Sequence, residues 1–262
     1  MIEADTDNVL VTNDDGIMHI QMNRPERKNA LSLAMYQKLA DSVLSANEDS
    51  TVRVVLLSGA GGSFTSGNDL GDFAKHKGNL SEDENPTPKF MAALLNCDKP
   101  VIAAVEGPAV GIGTTLLLHC DFVYAARSAY LQVPFVKLGL CPEFGSSLIL
   151  PSLMGHQRAA DLLYFGDAFS AEKAQSVGIV NEVVDDAELM NFALEKCKLL
   201  RSRPASALRS TKKLMKQEIR KIAPELMRQE RDVFGSALKS GEFAEAVAAF
   251  TEKREPDFSK FS

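Results

Sequence analysis

The run Pro142-Glu143-Phe144-Gly145-Ser146-Ser147 sets one carboxylate at a turn leading into a helix, downstream of two glycine-bearing loops suited to holding a carbonyl oxygen. The first loop follows the β-rich run Val52-Arg53-Val54-Val55-Leu56-Leu57 and passes through Ser58-Gly59-Ala60-Gly61-Gly62 to Phe64-Thr65-Ser66-Gly67-Asn68-Asp69-Leu70. The second leaves a strand over 101–105, opened by Lys99-Pro100. It runs through Gly107-Pro108-Ala109-Val110-Gly111-Ile112-Gly113 into an apolar stretch over 114–120. A helix start leaves backbone N–H groups without intrahelical partners and carries the positive end of the helix dipole. Glycine lets a ligand approach that backbone closely. Two such loops converging on one oxygen would stabilise a developing enolate or tetrahedral oxyanion by roughly 3 to 4 kcal/mol per well-placed donor. One carboxylate beside such a site suggests proton transfer. The plainer reading of Pro142-Glu143 is a helix start, where proline at the first position and an acidic residue in the first turn are both favoured.

The elements that must position these groups can be read along the chain. Residues 9–11 and 17–22 flank Asn13-Asp14-Asp15-Gly16, a hairpin signal because Asp-Gly favours the type I′ turn. Residues 32–48 form a helix with apolar Leu33, Tyr36, Leu39, Val43 and Leu44 on one face. Strand, loop and helix units recur to about residue 185. The polar stretch 74–88 reads as a loop over the pocket mouth or as a solvated insertion. From Ala187 the pattern is helical, over 208–222, 223–238 and 242–250, with Pro204 and Pro224 breaking the run. The chain therefore divides into a core over 1–186 and a helical region over 187–262.

Composition narrows the function classes. With 262 residues, 45% of them hydrophobic, the chain can bury a large core. A net charge of −6 gives no overall drive toward nucleic acid, although a local basic spot would still meet an anionic cofactor. No run approaches the roughly 20 apolar residues that span a bilayer. The acidic opening Met1-Ile2-Glu3-Ala4-Asp5 lacks the basic flank of a signal peptide, so a cytoplasmic protein without a membrane partner is expected. The terminal Lys260-Phe261-Ser262 is not a Ser-Lys-Leu type address. Cys97, Cys120, Cys141 and Cys197 are widely spaced, which argues against both zinc and a disulfide framework. Cys141 reads as pocket lining. His19, His76, His119 and His156 are scattered and read as structural or surface residues, so no metal is expected.

The two loops, with Asn23-Arg24-Pro25, Asn29-Ala30-Leu31, Lys99 to Val105, and Cys120-Asp121, resemble the motif series of the enoyl-CoA hydratase/isomerase (crotonase) superfamily over nearly the whole chain. The resemblance implies an α/β fold, a crotonase-like spiral of ββα units with a C-terminal helical appendage. It also implies a homo-oligomer, a trimer or a dimer of trimers. It makes the backbone N–H groups of Asn68 and Ile112 donors to a thioester oxygen. Ser66, Gly67, Asn68, Asp69 and Leu70 would wrap an acyl-CoA, with Gly111, Thr115, Phe135, Leu140 and Phe144 in the substrate pocket. Asp69 reads as a loop or helix cap rather than an acid catalyst. Lys28 and Lys253 occupy places similar to CoA-contacting positions, and solvated surface lysines are the competing reading.

Departures from the family pattern select the chemistry. Hydratases of the superfamily use two glutamates, at positions that read Thr115 and Phe135 here. Adding water to a double bond needs groups that activate water and manage its protons, so losing both should abolish ordinary hydration. Leu138-Gly139-Leu140-Cys141-Pro142-Glu143 is instead similar to the Δ3,Δ2-enoyl-CoA isomerase branch, where a glutamate at that position is the catalytic base. The residue after it, usually glycine in that branch, is Phe144, which would line the acyl pocket or re-aim the loop. The expected reaction is a single-base 1,3-proton shift on a 3-enoyl-CoA in fatty acid β-oxidation. It needs no metal or separate cofactor, since coenzyme A is part of the substrate. The alternatives are another acyl-CoA reaction, such as dienoyl isomerisation or residual hydration, and a catalytically silent acyl-CoA binding protein.

Overall fold

Strands Val9–Asp14 (β1) and Ile17–Met22 (β2) pair antiparallel across Asp15 and Gly16, whose φ angles of +49° and +78° are the left-handed pair of a type I′ turn. The computed structural model describes residues 8–69, 71 and 85–261. Helix α1 (Leu33–Glu48) begins where the Ser32 hydroxyl oxygen accepts the Met35 N–H at 3.3 Å. The next elements are β3 (Val54–Gly59), α2 (Pro86–Asn96), β4 (Val101–Val105), β5 (Pro108–Val110) and the single turn α3 (Ile112–Thr115). Then come β6 (Phe122–Ala126), β7 (Tyr130–Gln132), α4 (Ser146–Met154), α5 (His156–Phe165), β8 (Phe169–Ser170), α6 (Ala171–Ser176) and β9 (Glu182–Val184). Helices α7 (Leu189–Arg201), α8 (Ala205–Met215), α9 (Gln217–Ala237) and α10 (Gly241–Glu252) complete the chain.

The strands form two sheets. The larger has the order β1-β2-β3-β4-β6-β9 and is parallel from β2 onward, and the smaller has the order β5-β7-β8. Strand β4 in the large sheet leads to β5 in the small one and then to α3, and β6 leads in the same way to β7 and then α4. This is the α/β spiral of ββα units. Parallel isolated bridges, Leu31 to Asn68 and Thr65 to Ala109, carry the same relation back to the earlier turns.

Both faces of the large sheet are covered, which is why its strands are continuously apolar rather than alternating. Val55, Leu57, Ala103, Val105, Val123 and Ala125 point into the main core with Tyr36 and Leu39 of α1. Val54, Leu56, Ile102, Ala104 and Tyr124 point the other way, against Leu189, Ala193 and Cys197 of α7, which repeat every four residues down one side of that helix. No helix among the described residues is long and apolar enough to cross a membrane.

Three expectations about local structure are corrected. Pro224 does not break the helical run. Helix α9 continues through it, and the chain bends instead at Lys216. A helix-interior proline costs about 3 kcal/mol. Contacts of the turn before it offset that cost: Arg220 bonds the carbonyls of Leu95 and Cys97 and the Asp98 carboxylate, and Ala223 is fully buried. The polar stretch 74–88 is helical from Pro86, where Asn85 Oδ1 accepts the Thr87 N–H at 3.0 Å. Residues 74–84 lie outside the described residues. Finally, Glu143 does not begin a helix, because Phe144 and Gly145 are both left-handed and α4 starts at Ser146.

Candidate active site

The first loop is held from beneath by Asn29, whose side-chain oxygen accepts the Arg24 N–H at 2.7 Å while its amide donates to the carbonyls of Ala60 and Ser63. The Thr65 hydroxyl donates to the Asn29 carbonyl at 2.7 Å. Asp69 pairs with Arg24 at 2.6 Å and its other oxygen accepts the Gly71 N–H, as a loop cap does. Ser66 N–H and Oγ–H bond the carbonyls of Lys28 and Arg27, which seats Lys28 beside this loop. Lys253 ends α10 with an exposed side chain that forms no hydrogen bond or ion pair with the described residues. Leu70 lies outside the described residues.

The two loops are stitched in register. Thr65 N–H donates to the Pro108 carbonyl at 2.9 Å and Val110 N–H to the Thr65 carbonyl at 3.0 Å. Asn68 and Ile112 therefore each stand three residues beyond a paired position, Thr65 and Ala109. The approach is close enough to require glycine. A Cβ on Gly67, at φ +93°, would stand 2.8 Å from the Val110 carbonyl oxygen, and one on Gly113 would stand 2.6 Å from Thr65 Cγ2. Neither the Asn68 N–H nor the Ile112 N–H finds an acceptor among the described residues, and Ile112 is the first residue of α3. Unpaired buried N–H groups are rare in folded proteins. Ile112 is fully buried and Asn68 half-buried, so two N–H groups without an acceptor among the described residues stand on loops held in register.

Glu143 stands in the turn that leads into α4. As a residue it keeps some exposure, but its Oε1 is sealed from solvent and has no hydrogen-bond partner. Burial, reinforced by the charge of Glu230, raises its carboxyl to about 8. A carboxylic acid poised near neutral pH suits a general base that must later act as an acid. Phe144, at φ +58°, is 1% exposed and its carbonyl accepts a hydrogen bond from His119 Nε2 at 2.8 Å. Because a carbonyl only accepts, His119 carries its proton on Nε2. Burial lowers its pKa to about 3, so the ring is neutral.

Thr115 and Phe135, at the two hydratase positions, are both buried; Thr115 Oγ sits 3.5 Å from the Ile112 carbonyl, and Phe135 offers its own carbonyl to the N–H groups of Leu138 and Leu140. Gly111 N–H bonds the Gln132 carbonyl, tying the second loop to β7. Cys141 Sγ faces the Glu230 carbonyl oxygen at 3.6 Å, and burial pushes its thiol up to about 11.

Two residues of the site carry no motif. Tyr36, on the buried face of α1, donates its hydroxyl to Asn68 Oδ1, and its phenol is held well above the usual range by burial and by the Glu143 charge. The only signal in the sequence is that a tyrosine on a core-facing helix stripe needs a partner for its hydroxyl. Glu230 on α9 reaches the Glu143 turn from a distance of 87 positions in the chain, and nothing local in the sequence marks it.

The family model described as enoyl-CoA hydratase/isomerase matches residues 12–260. The chain belongs to the enoyl-CoA hydratase/isomerase family. It is 36% identical over 254 residues to the 1,2-epoxyphenylacetyl-CoA isomerase of Escherichia coli, covering 94% of this chain and 96% of that one. It is 33% identical over 250 residues to enoyl-CoA delta isomerase 2 of Rattus norvegicus; the match covers 94% of this chain but spans 64% of that longer protein. The crystal structure of an enoyl-CoA hydratase/isomerase from Pseudoalteromonas atlantica superposes with a TM-score of 0.91 at 38% identity, over 96% of this chain and 99% of that one. Family members named as hydratases are also among its relatives. An acyl-CoA thioester substrate follows from the family.

Proposed function

We propose that the protein is a Δ3,Δ2-enoyl-CoA isomerase in which Glu143 is the single acid–base group. The observation that carries this reading is the sealed, unpartnered Oε1 of Glu143 in a site whose two hydratase-type positions are Thr115 and Phe135. In a 3-enoyl thioester the C2 protons are acidified by both the carbonyl and the alkene. The Glu143 carboxylate takes one of them, and the C2–H electron pair moves into a dienolate whose oxygen receives the Asn68 and Ile112 N–H groups. The carboxylic acid so formed returns the proton to C4, leaving the double bond between C2 and C3. Charge is created and discharged within one turnover, so the shift calls for no separate cofactor.

A second reading, hydration, draws support from the relatives named as hydratases. It requires a further group to manage the proton of water, and Thr115 and Phe135 do not supply one. The same proposal places the chain in cytoplasmic fatty acid oxidation as a homo-oligomer, a trimer or a dimer of trimers, with Lys28 and Lys253 at the CoA phosphates. The test is incubation with trans-3-hexenoyl-CoA and chromatographic separation of the products. Rapid 2-enoyl-CoA, lost in Glu143→Ala while acyl-CoA binding persists, is expected. A 3-hydroxyacyl product formed directly from the 2-enoyl-CoA would support the hydratase, and turnover unaffected by Glu143→Ala would remove Glu143 from the mechanism.

A further inference from the structure

The turn that presents Glu143 is anchored from the C-terminal helical region. Phe144 and Gly145 are consecutive left-handed residues, φ +58° and +72°, and the N–H groups of Gly145 and Ser147 converge on the Glu230 carboxylate of α9. Glu230 Oε2 accepts the Gly145 N–H at 2.6 Å. Its Oε1 accepts the Ser147 N–H at 3.2 Å and also the Ser147 hydroxyl proton. Glu230 is 7% exposed, a burial that carboxylates rarely reach without partners.

We propose, building on the isomerase reading, that Glu230 is a positioning residue that clamps the turn over 144–147 and so fixes where the Glu143 carboxyl stands. It does not exchange protons with substrate itself. Both of its oxygens are committed to donors of the turn, whereas Glu143 Oε1 has none. A left-handed phenylalanine is a conformation the chain adopts only under external constraint. Glu230 supplies that constraint on one side and the neutral His119 on the other. Among the described residues, Tyr36 from α1 and Cys141 from the preceding segment are the other titratable groups coupled to the two carboxylates.

The variant Glu230→Gln keeps the volume but offers one accepting oxygen and turns an amide NH2 toward a backbone donor. A displacement of about 1 Å at a reacting group costs on the order of 100-fold. The expected result is a kcat lower by about 10- to 100-fold with KM nearly unchanged. Removing the neighbouring charge also moves the rising limb of the pH–rate profile to lower pH. Titration of the Glu143 carboxyl by carbon-13 NMR, assigned by its loss in Glu143→Gln, reads the same shift without any turnover. An unchanged kcat with an unmoved titration would overturn the proposal, as would a kcat that falls only with the folded fraction. If Glu230→Gln does not fold, Ser147→Ala removes one donor of the clamp: a few-fold loss in kcat at an unchanged melting temperature supports it, and full activity overturns it. A wild type that leaves trans-3-hexenoyl-CoA unconverted, with the NMR shift present in Glu230→Gln, would sink the isomerase reading and leave the clamp standing. Wild-type turnover with the titration unmoved would do the reverse.

Discussion

The imidazole of His119 lies stacked on the ring of Phe144, centroids 3.8 Å apart and 18° from parallel, while its Nε2–H reaches the carbonyl of that same residue. One side chain thus holds both the ring and the backbone of the residue that follows Glu143. This explains how phenylalanine stands at a left-handed position where the isomerase branch usually has glycine. The ring packs on His119, and its backbone sets the course of the turn.

Phe144→Ala should destabilise the protein by about 3 to 5 kcal/mol, since it opens a cavity while keeping the Cβ and its strain at positive φ. Phe144→Gly opens the same cavity but relieves the left-handed strain, so it should be more stable than the alanine variant by about 1 kcal/mol. Urea unfolding of the pair checks the order. An alanine variant as stable as the glycine variant would mean that the φ of +58° carries no strain.

Glu143→Gln should lower kcat by about 100- to 10,000-fold, the usual contribution of a general acid–base group. Acyl-CoA binding should persist, as measured by calorimetry with a saturated acyl-CoA. Loss of binding together with turnover would assign Glu143 a role in the pocket's structure instead.

The raised carboxyl of Glu143 predicts two pH dependences of opposite benefit. As a base it acts when ionised, so kcat/KM should rise with pH toward a plateau above about 8. Folding runs the other way. Between the ordinary carboxylate value of 4.5 and about 8 the native state holds a proton that the unfolded chain has released, so this group's stabilising contribution is full below 4.5 and lost as pH climbs through 8. Thermal melts of wild type and Glu143→Gln should therefore separate progressively from about pH 4.5 to about 8 and keep a constant gap above that, the variant gaining relative to wild type as pH rises. Parallel melting curves across that range would contradict the assignment.

Tyr36→Phe removes the hydroxyl that holds the Asn68 side chain and leaves Asn68 Oδ1 without that donor, a cost of about 1 to 3 kcal/mol. Loosening the loop that carries the proposed Asn68 donor should lower kcat by about tenfold, part of the loss seen when an oxyanion donor is removed outright. Stopped-flow turnover beside a melting curve separates the two effects.

Much of the fold was legible because its signals are local. Asp15-Gly16 announced the hairpin, Ser32 capped its helix, and the run over 101–105 became β4 at those bounds. Asn68, Ile112 and Glu143 were singled out through motifs, and the structure sets Asn68 and Ile112 on loops held in register. Tyr36, His119 and Glu230 were not, because their roles consist of partners 32, 25 and 85 positions away. Pro224 misled for the same reason: the bonds of Arg220 that let a helix pass through it come from the distant segment around residues 95–98.

The pairing of Thr65 with Ala109 has a bearing on how this site would look to genetics. The two donors it aligns belong to the main chain, and every amino acid except proline has the same N–H. Alanine scanning across 68 and 112 would delete neither, and a survey of tolerated variants would score position 112 by its packing and position 68 by the bond its side chain accepts from Tyr36. The vulnerable positions lie beside them, at Gly67 and Gly113, where a single added methyl has no room. A mutational map of this protein would therefore outline the proposed oxyanion hole in negative, through the glycines that permit it.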